Sequence, residues 1–459
     1  MNGLLIILGF ALCVGVVVFA PNFGAPAIAA CAIPALVAGV LVSRVEQDKV
    51  FLVRMFVIAL YGRMVVGTVI FAFKLQAVFG GDALQYDLYG YALLKSWGGD
   101  SYYTTLANYF MGVESGGGWG MLYMVAPVYG LVGRNMLAIQ FINSVMGAAT
   151  APVIYLCARR IYGNMRVARV ASLFVAFYPS LMLWSAQGLK DGPIVFLLAT
   201  SMFAALELGV RFNTKYFILL ICSLFALLSL RFYVFYMMVA AIGGAFVIGM
   251  RAITAQSFVR QFVVIVGIGL SLTYLGVMRY ASIQFENYGN LEAVQRSRLD
   301  QTQAESGYAR DVDVSTTEGA LSAIPMGLLY LLFAPFPWQL ATLRQSITLP
   351  EMLIWWTVFP LLVLGVWFTV KYRLRQASPI LIFTPMLTLA YSIFQGNLGT
   401  AYRQRAQLLI FYFMFVAVGF VLLKEKSEDT KRRELAEKEA AREAATGAAA
   451  HARPSSSNI

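Results

Sequence analysis

The sequence has little of what a soluble enzyme would use for catalysis. It contains one histidine, His451, near the polar C-terminal end, which excludes histidine-based catalysis and zinc sites from the rest of the chain. Only 13% of the residues are charged, about half the share found in soluble proteins. Its cysteines lie inside apolar runs with neither metal-site nor disulfide spacing; they are Cys13, Cys31, Cys157 and Cys222. An ordinary soluble globular domain is therefore excluded.

Long apolar runs are abundant instead. Hydrophobic residues make up 59% of the chain, and the mean hydropathy is +0.71. Runs of roughly 17–25 apolar residues have the length of a membrane-spanning helix, whose backbone groups must be paired internally. The sequence therefore predicts an all-α polytopic membrane protein of about twelve spans. The predicted spans are 3–20, 24–43, 51–73, 134–158, 168–186, 192–210, 215–231, 234–250, 261–279, 350–370, 378–395 and 406–423.

The N-terminal run has some features of a secretory signal peptide. It extends from Leu4 to Ala20, lacks a basic region before it, and is soon followed by a second run from Ala25 to Val42. A cleaved signal normally begins with positive charges. We therefore predict a retained helical hairpin.

Basic residues recur in the short loops and the tail and account for much of the net charge of +12. The clusters comprise Arg159, Arg160, Arg166 and Arg169; Arg211 and Lys215; Arg251 and Arg260; Lys371, Arg373 and Arg375; and the residues from Lys424 onward. With the predicted spans they all fall on one face, which the positive-inside rule makes cytoplasmic, together with both termini. This pattern explains the charge without nucleic-acid binding.

Two long loops are predicted on the outer face, at about 74–118 and 280–322. Two apolar segments, 119–132 and 322–338, are too short to be spans and contain Pro or Gly, so we expect outer juxtamembrane helices there. Residues 1–423 then form a single transmembrane domain. The charged tail, 424–459, is predicted to be cytoplasmic, helical at first and disordered at its end.

Acidic residues at two outer turns are candidates for catalysis. Asp82 follows Gly80-Gly81 after the third span, and Asp191 precedes Gly192-Pro193 after the fifth. Such a carboxylate can act as a general base on a sugar hydroxyl or as a metal ligand. Alternatively, each aspartate begins a helix and caps it. The two interpretations are compatible, because a capping position also fixes the carboxylate.

Positive charges at the outer face oppose the positive-inside rule. They are Arg231 at the end of a span, and Arg403 and Arg405 before the last span. Guanidinium groups at such positions suit bidentate phosphate binding, and Lys190 next to Asp191 is a further candidate. The alternative is that an arginine pairs with a loop carboxylate such as Asp311 or Asp313.

Several motifs between residues 51 and 210 occur in a fixed order. They are Asp82 with Asp87; Leu131-Val132-Gly133-Arg134; a span with Asn143 and Gly147 that ends in Ala158-Arg159-Arg160-Ile161-Tyr162-Gly163; Tyr178-Pro179-Ser180; and Ser185 to Asp191. In order and sidedness this set resembles the GT-C glycosyltransferases, specifically the polyprenyl-phosphate-sugar-dependent enzymes related to aminoarabinose transferases and protein O-mannosyltransferases.

The resemblance implies a GT-C-like fold and a catalytic or metal-organising role for Asp82, with Asp87 beside it and a second acidic role for Asp191. It also implies that Arg403 or Arg405 meets the donor phosphate. The sequence departs from the family because Ala83 follows Asp82 where an adjacent acidic pair is typical, and because a proline pair is missing before Gly133. A divalent cation therefore stays open as a cofactor.

The functional expectation is a glycosyltransferase on the outer face of a bacterial-type cytoplasmic membrane, active in cell-envelope glycan synthesis. Its donor is a sugar on a polyprenyl phosphate, and its acceptor is a glycan, lipid or protein hydroxyl. One alternative is a polysaccharide polymerase or ligase that joins lipid-linked oligosaccharides, which the long polar loop would suit. Another is a transporter or flippase, for which Arg54, Arg63 and Glu207 lie inside predicted spans, although no internal repeat is visible.

Overall fold

The computed structural model of the protein describes residues 3–113, 118–249, 255–277, 281, 284, 286, 289–303, 306–309, 311–339 and 343–451. Within these residues the regular structure is helical, apart from one isolated antiparallel bridge between Gly307 and Asn397. The predicted all-α fold class is therefore confirmed.

In its described residues, the first half of the chain forms eleven α-helices and one short 3-10 helix (Glu46–Asp48). The α-helices are α1 (Gly3–Phe19), α2 (Gly24–Ser43), α3 (Lys49–Ala72), α4 (Gln76–Gly80), α5 (Asp82–Trp97), α6 (Ser101–Val113), α7 (Trp119–Val132), α8 (Met136–Tyr162), α9 (Met165–Phe177), α10 (Pro179–Ser185) and α11 (Asp191–Leu208). The remaining α-helices in the described part are α12 (Thr214–Leu230), α13 (Phe232–Ile248), α14 (Ala255–Tyr274), α15 (Leu291–Thr302), α16 (Thr317–Phe333), α17 (Leu343–Phe394) and α18 (Leu398–His451).

Within the described residues, eleven of the twelve predicted spans coincide with a helix or with part of one, and the fifth is covered by the bent pair of α9 and α10. Six helices among the described residues are long and apolar enough to cross a membrane, and the bent pair of α9 and α10 makes a seventh candidate. Helix α17 carries two of the predicted spans, separated by a break at Arg373. The other predicted spans, α1, α12, α13 and α14, are shorter apolar helices. A polytopic helical membrane protein is thus confirmed, whereas the number twelve stays a prediction.

The predicted juxtamembrane segments and tail also form helices. Segment 119–132 is α7, and segment 322–338 overlaps α16, which ends at Phe333. In the tail, α18 continues as far as His451. The expected disordered end, 452–459, lies outside the described residues.

Helix α8 forms the centre of the bundle and packs against α2, α3, α9 and α11. Its middle is rich in small residues, from Gly147 to Ala151, which let neighbouring helices approach closely. The Asn135 side chain caps its start by accepting a hydrogen bond from the Ala138 amide. Its end is marked by Gly163, whose φ of 66° is favourable only for glycine.

The basic clusters meet at one end of the bundle. Arg169 forms an ion pair with Asp48 at 2.6 Å, Arg160 pairs with Glu207, and Arg166 pairs with Glu428 of the tail at 2.9 Å. Arg251 lies outside the described residues. The chain therefore separates a basic end from the opposite end, where the candidate catalytic residues lie, and the assignment of the basic end to the cytoplasm stays a prediction.

Candidate active site

The site is built on a break in the fifth predicted span. Helix α9 ends at Phe177, Tyr178 adopts an extended conformation, and α10 begins with Pro179 at its first turn. A residue before proline avoids the helical conformation, and proline fits the first helical position, so the sequence Tyr178-Pro179 explains the break. The two helices differ in direction by 54°. After α10 the chain turns and begins α11 at Asp191.

Side chains of opposite charge satisfy the backbone groups that this break exposes. Buried Arg63 of α3 donates to the carbonyl oxygen of Ala176 at 2.8 Å, at the end of α9. Buried Glu351 accepts from the amide of Ser180 at 2.7 Å, at the start of α10. A cation at a helix C-terminus and an anion at an N-terminus also complement the helix dipoles. These contacts hold in place the turn that leads to Asp191.

Arg403, in the first turns of α18, brings both predicted acidic residues together. Its Nε atom donates to the Oδ2 atom of Asp191 at 2.5 Å. Its Nη1 atom lies 2.8 Å from the Oδ2 atom of Asp82. The structure thus joins the start of α5, the start of α11 and the start of α18 at one point, and the arginine pairs with these aspartates rather than with Asp311 or Asp313.

Two further cations surround the two carboxylates. Arg231, between α12 and α13, lies 3.6 Å from the Oδ1 atom of Asp191. Lys190 lies 5.9 Å from the centre of the Tyr86 ring, and its charge also acts on Asp82. Three cations therefore face two carboxylates, so the cluster has an excess positive charge that suits an anion.

The two aspartates differ sharply in accessibility. The Asp191 side chain is 1% exposed, whereas the Asp82 side chain is 46% exposed and the Arg403 side chain 15%. Burial of the Asp82 carboxyl raises its pKa, but the positive charges of Arg403, Lys190 and Arg231 outweigh burial and hold the pKa below its ordinary value. Asp82 is thus the ionised carboxylate that a substrate hydroxyl can reach.

Both aspartates begin helices, α5 at Asp82 and α11 at Asp191, but neither caps its helix: the N-cap residues are Gly81 and Lys190, and no side-chain cap hydrogen bond is formed at either start. A carboxylate in the first turn is favourable there. Their side-chain contacts in the described part of the chain nevertheless run to arginines. The helix starts therefore fix the positions of the two aspartates, while their carboxylate oxygens stay available to the arginines.

Two other predicted site residues lie elsewhere. Asp87 faces away from this cluster, accepts a hydrogen bond from the Tyr129 hydroxyl at 2.6 Å and pairs with Arg134 at 2.5 Å. Arg405 is 1% exposed and donates to backbone carbonyl oxygens, among them that of Leu332 at 3.1 Å. The structure therefore separates Asp87 and Arg405 from Asp82, Asp191 and Arg403.

Sequence reasoning missed two residues beside the site. Glu351 also accepts from the hydroxyl of Tyr402 at 2.7 Å, next to Arg403 in the chain. It is a charge at the start of the predicted span 350–370, and this was its signal in the sequence. Arg63 is likewise a charge inside an apolar span, a pattern that is also typical of transporters. Its partners are carbonyl groups at the break of the fifth span.

The carboxylates that could bind a metal ion here, those of Asp82 and Asp191, are already paired with Arg403. Within the described ranges, no group of three or more His, Cys, Asp or Glu side chains is arranged to hold an ion. A divalent cation at this point would have to compete with Arg403 for Asp82 and Asp191.

The chain is similar to a known protein family over part of its length and to a solved structure. Residues 119–275 match the family model of dolichyl-phosphate-mannose-protein mannosyltransferases, a segment from α7 to α14 that includes Asp191 and Arg231. Among solved structures, the chain is similar to the archaeal oligosaccharyltransferase AglB from Archaeoglobus fulgidus, in complex with an inhibitory peptide and a dolichol-phosphate, at 14% identity and a TM-score of 0.40. That similarity covers 70% of this chain and 44% of AglB, so the chain spans less than half of AglB's length.

No curated protein matches the sequence. The family match confirms the resemblance inferred from the order of the motifs. Over residues 119–275 the chain is therefore similar to a family of membrane glycosyltransferases of the GT-C type.

Proposed function

We propose that this chain transfers a sugar from a polyprenyl-phosphate donor to a hydroxyl group, on the outer face of a bacterial-type cytoplasmic membrane, in cell-envelope glycan synthesis. The observation that carries the proposal is the bridge by which Arg403 joins the exposed Asp82 to the buried Asp191. A base and a phosphate-binding group then lie side by side, as attack on a glycosyl phosphate requires.

In the proposed reaction Asp82 accepts the proton of the acceptor hydroxyl. The hydroxyl oxygen forms a bond to the anomeric carbon of the donor sugar, and the bond from that carbon to the phosphate oxygen breaks. The electron pair leaves with the lipid phosphate, whose charge is stabilised by Arg403, with Arg231 and Lys190 nearby. Asp191, which is buried, holds Arg403 in position.

Arg403 has a second effect on Asp82. Its positive charge lowers the pKa of Asp82 and so makes the carboxylate a weaker base. A donor phosphate bound to Arg403 replaces Asp82 as the partner of the guanidinium, because Asp82 is the more exposed of its two carboxylates. The pKa of Asp82 then rises, and the base strengthens when the donor is in place.

Arg405 and Asp87, which the sequence also predicts to lie at the site, are given structural roles in this proposal. Arg405 is assigned to holding α16 and α17 through its carbonyl and Met352 contacts. Asp87 is assigned to its ion pair with Arg134. The proposed site therefore consists of Asp82, Asp191, Arg403, Arg231 and Lys190.

A polymerase or ligase is the second candidate function. The described part of loop 280–322 packs beside the site: Arg298 donates to the carbonyl oxygen of Gln395 at 2.7 Å, and the Tyr308 amide donates to that of Gly396 at 2.9 Å. A loop at this position can contact an acceptor longer than one sugar. Analysis of the product distinguishes the candidates, because a polymerase or ligase moves whole oligosaccharides and the first candidate moves one sugar per turnover.

The base is tested with Asp82→Asn. Asparagine has nearly the size of aspartate and keeps an acceptor oxygen for Arg403, and the side chain is half-exposed, so the protein level should stay close to normal. Turnover of a polyprenyl-phosphate sugar should fall about 10²-fold or more, as expected when a general base is lost. Near-normal turnover with added chelator would contradict the assignment; turnover that depends on a divalent cation would instead make Asp82 a metal ligand.

The phosphate-binding role is tested with the same substitution at two neighbouring arginines. Arg403→Lys keeps the charge that Asp191 requires but loses the bidentate geometry, and a charge-assisted hydrogen bond is worth about 1.5–3 kcal/mol. Donor use should therefore fall roughly ten- to hundredfold at a normal protein level. Arg405→Lys is the control and should lower the protein level with little change in donor KM. If Arg403→Lys instead lowered the protein level with little change in donor KM, Arg403 would not be the phosphate-binding residue.

A further inference from the structure

A cavity lies at the same end of the molecule as the Asp82 cluster, between the N-terminal hairpin and the first outer loop. It has a volume of about 700 Å³, within the range of about 300–1,000 Å³ typical of ligand pockets. Its wall includes the turn between α1 and α2, the end of α3, Lys74, and the starts of α5 and α8. It is built largely from residues that precede the segment matched by the family model.

The turn of the hairpin is fixed to the rest of the cavity wall. The side-chain amide of Asn135 donates to the carbonyl oxygen of Phe23 at 2.9 Å. The Phe23 ring contacts the Phe71 ring edge-to-face, with 5.3 Å between their centres. The hairpin therefore takes part in forming a defined cavity rather than only anchoring the chain.

The lining has an apolar part and a charged part. Phe19, Phe23, Phe71 and Leu84 supply apolar surface, and the charged residues are Lys74, Arg134 and Asp87. Arg134 pairs with Asp87, whereas the ion pairs within the described ranges do not include Lys74. Two cations face one carboxylate, so the lining suits an anionic headgroup with a hydrocarbon chain.

The backbone at Lys74 points to a role for its side chain. Lys74 has a φ of 54° and follows the end of α3, where the Leu75 amide donates to the Ile70 carbonyl at 2.9 Å and the Lys74 amide to the Phe71 carbonyl at 3.2 Å. This is the helix-ending motif whose left-handed position normally holds glycine. A lysine there adopts a backbone conformation that costs free energy, and such conformations cluster at ligand-binding positions.

The cavity and the Asp82 cluster lie on different faces of α5. Asp82 contacts Arg403, whereas Asp87 and Leu84 line the cavity. Five residues of helix correspond to about 7.5 Å along the axis and to a rotation of about 140°. A molecule bound in the cavity is therefore close to the proposed base but separate from the donor phosphate at Arg403.

We propose that this cavity binds a second polyprenyl phosphate or diphosphate lipid, with its phosphate at Lys74 and Arg134 and its hydrocarbon chain along the hairpin. Its role as the lipid-linked acceptor rests on the proposed function, but its binding does not. The chain would then hold two lipid phosphates on opposite sides of α5.

The test uses the purified full-length chain and a short-chain prenyl phosphate that carries a diazirine. Photolabelled peptides are separated into those around residues 19–23 and 71–77 and those around 396–405. Lys74→Gly should lower labelling of the first group about tenfold, as expected for loss of one charge-assisted contact, and should leave the second group unchanged. The protein level should not fall, because glycine relieves the left-handed backbone.

Arg403→Lys should give the converse labelling pattern, and Lys95→Ala, which removes an exposed lysine of α5 outside the cavity lining, should change neither group. Unchanged labelling in Lys74→Gly would overturn the proposal. Equal competition by phosphatidylglycerol would assign the cavity to bulk anionic lipid, and equal competition by inorganic phosphate would assign it to phosphate alone; either result rejects a polyprenyl site. Because no turnover is measured, the labelling result is independent of whether Asp82 and Arg403 variants lose activity.

Discussion

Asp82 and Asp191 contact the same guanidinium group, yet their surroundings give them different tasks. Asp191 is almost fully buried and stays beside Arg403 and Arg231, so it is suited to fixing a cation. Asp82 is half-exposed and is the one that a hydroxyl can approach. A buried charge without its partner is costly, which is why the buried aspartate is the one with two arginines.

The pH dependence of the reaction follows from the lowered pKa of Asp82. A group with a lowered pKa stays ionised to a lower pH, so the acidic limb of kcat/KM in the wild-type protein should lie below the ordinary range of an aspartate. In Arg403→Gln the main lowering charge is lost while burial still raises the pKa, and the limb should move to higher pH. Arg403→Lys retains the charge and is the control. A limb at the same pH in all three proteins would contradict Asp82 as the titrating base.

At the scale of the helices, the spacing along α18 decides which arginine reaches the site. Residues two apart on a helix point in nearly opposite directions. Arg403 and Arg405 therefore diverge once this segment is helical, one toward Asp82 and Asp191 and the other toward the end of α16. Asp82 and Asp87 are five residues apart on α5, a rotation of about 140°, and so they also face different neighbours.

The break in the fifth span predicts the consequences of removing Glu351. In Glu351→Ala, the Ser180 amide and the Tyr402 hydroxyl lose their buried acceptor. Each unsatisfied group costs about 1–3 kcal/mol, so the Tm in detergent should fall by several degrees and turnover should fall with it. Glu351→Gln keeps an acceptor oxygen and should retain most of the stability.

Glu318→Ala, in the exposed first turn of α16, is the matched control for that experiment and should leave the Tm unchanged. An unchanged Tm in Glu351→Ala would show that the break is held by other contacts, Arg63 foremost. A lowered Tm with normal turnover would show that Glu351 stabilises the protein but is not needed to position Asp191 and Arg403.

The whole molecule has two chemically different ends. The basic end joins Arg169 to Asp48 and Arg166 to the tail, while the other end carries the Asp82 cluster and the first outer loop. The positive-inside rule predicts that the basic end faces the cytoplasm. The donor and acceptor sites would then both open to the outside.

Cysteine labelling tests this orientation in a variant from which the four native cysteines have been removed. A cysteine at the exposed Ser101, at the start of α6, should react with a membrane-impermeant reagent in intact cells. A cysteine at the exposed Thr430, in the tail helix, should react only after permeabilisation. Labelling of the Thr430 variant in intact cells would reverse the orientation and place the Asp82 cluster inside.

The sequence by itself determined the elements of this protein. Apolar length predicted the helices, basic clusters predicted which ends lie together, and the positions of Asp82 and Asp191 predicted two helix starts at the candidate site. These features depend on local composition and spacing, so they are readable along the chain. The order of motifs also sufficed to indicate the GT-C resemblance.

Only the tertiary structure decided which charges pair. The bond between Arg403 and Asp191 joins residues that are 212 positions apart, and the capping of α10 by Glu351 joins residues 171 apart. Neither pairing leaves a local trace, because it depends on how helices pack rather than on their own composition. The separation of Arg405 and Asp87 from the site, and the role of Arg63 as a partner of carbonyl groups, follow from the same physical cause: the direction of a side chain is set by the helix that carries it and by the neighbour against which that helix packs.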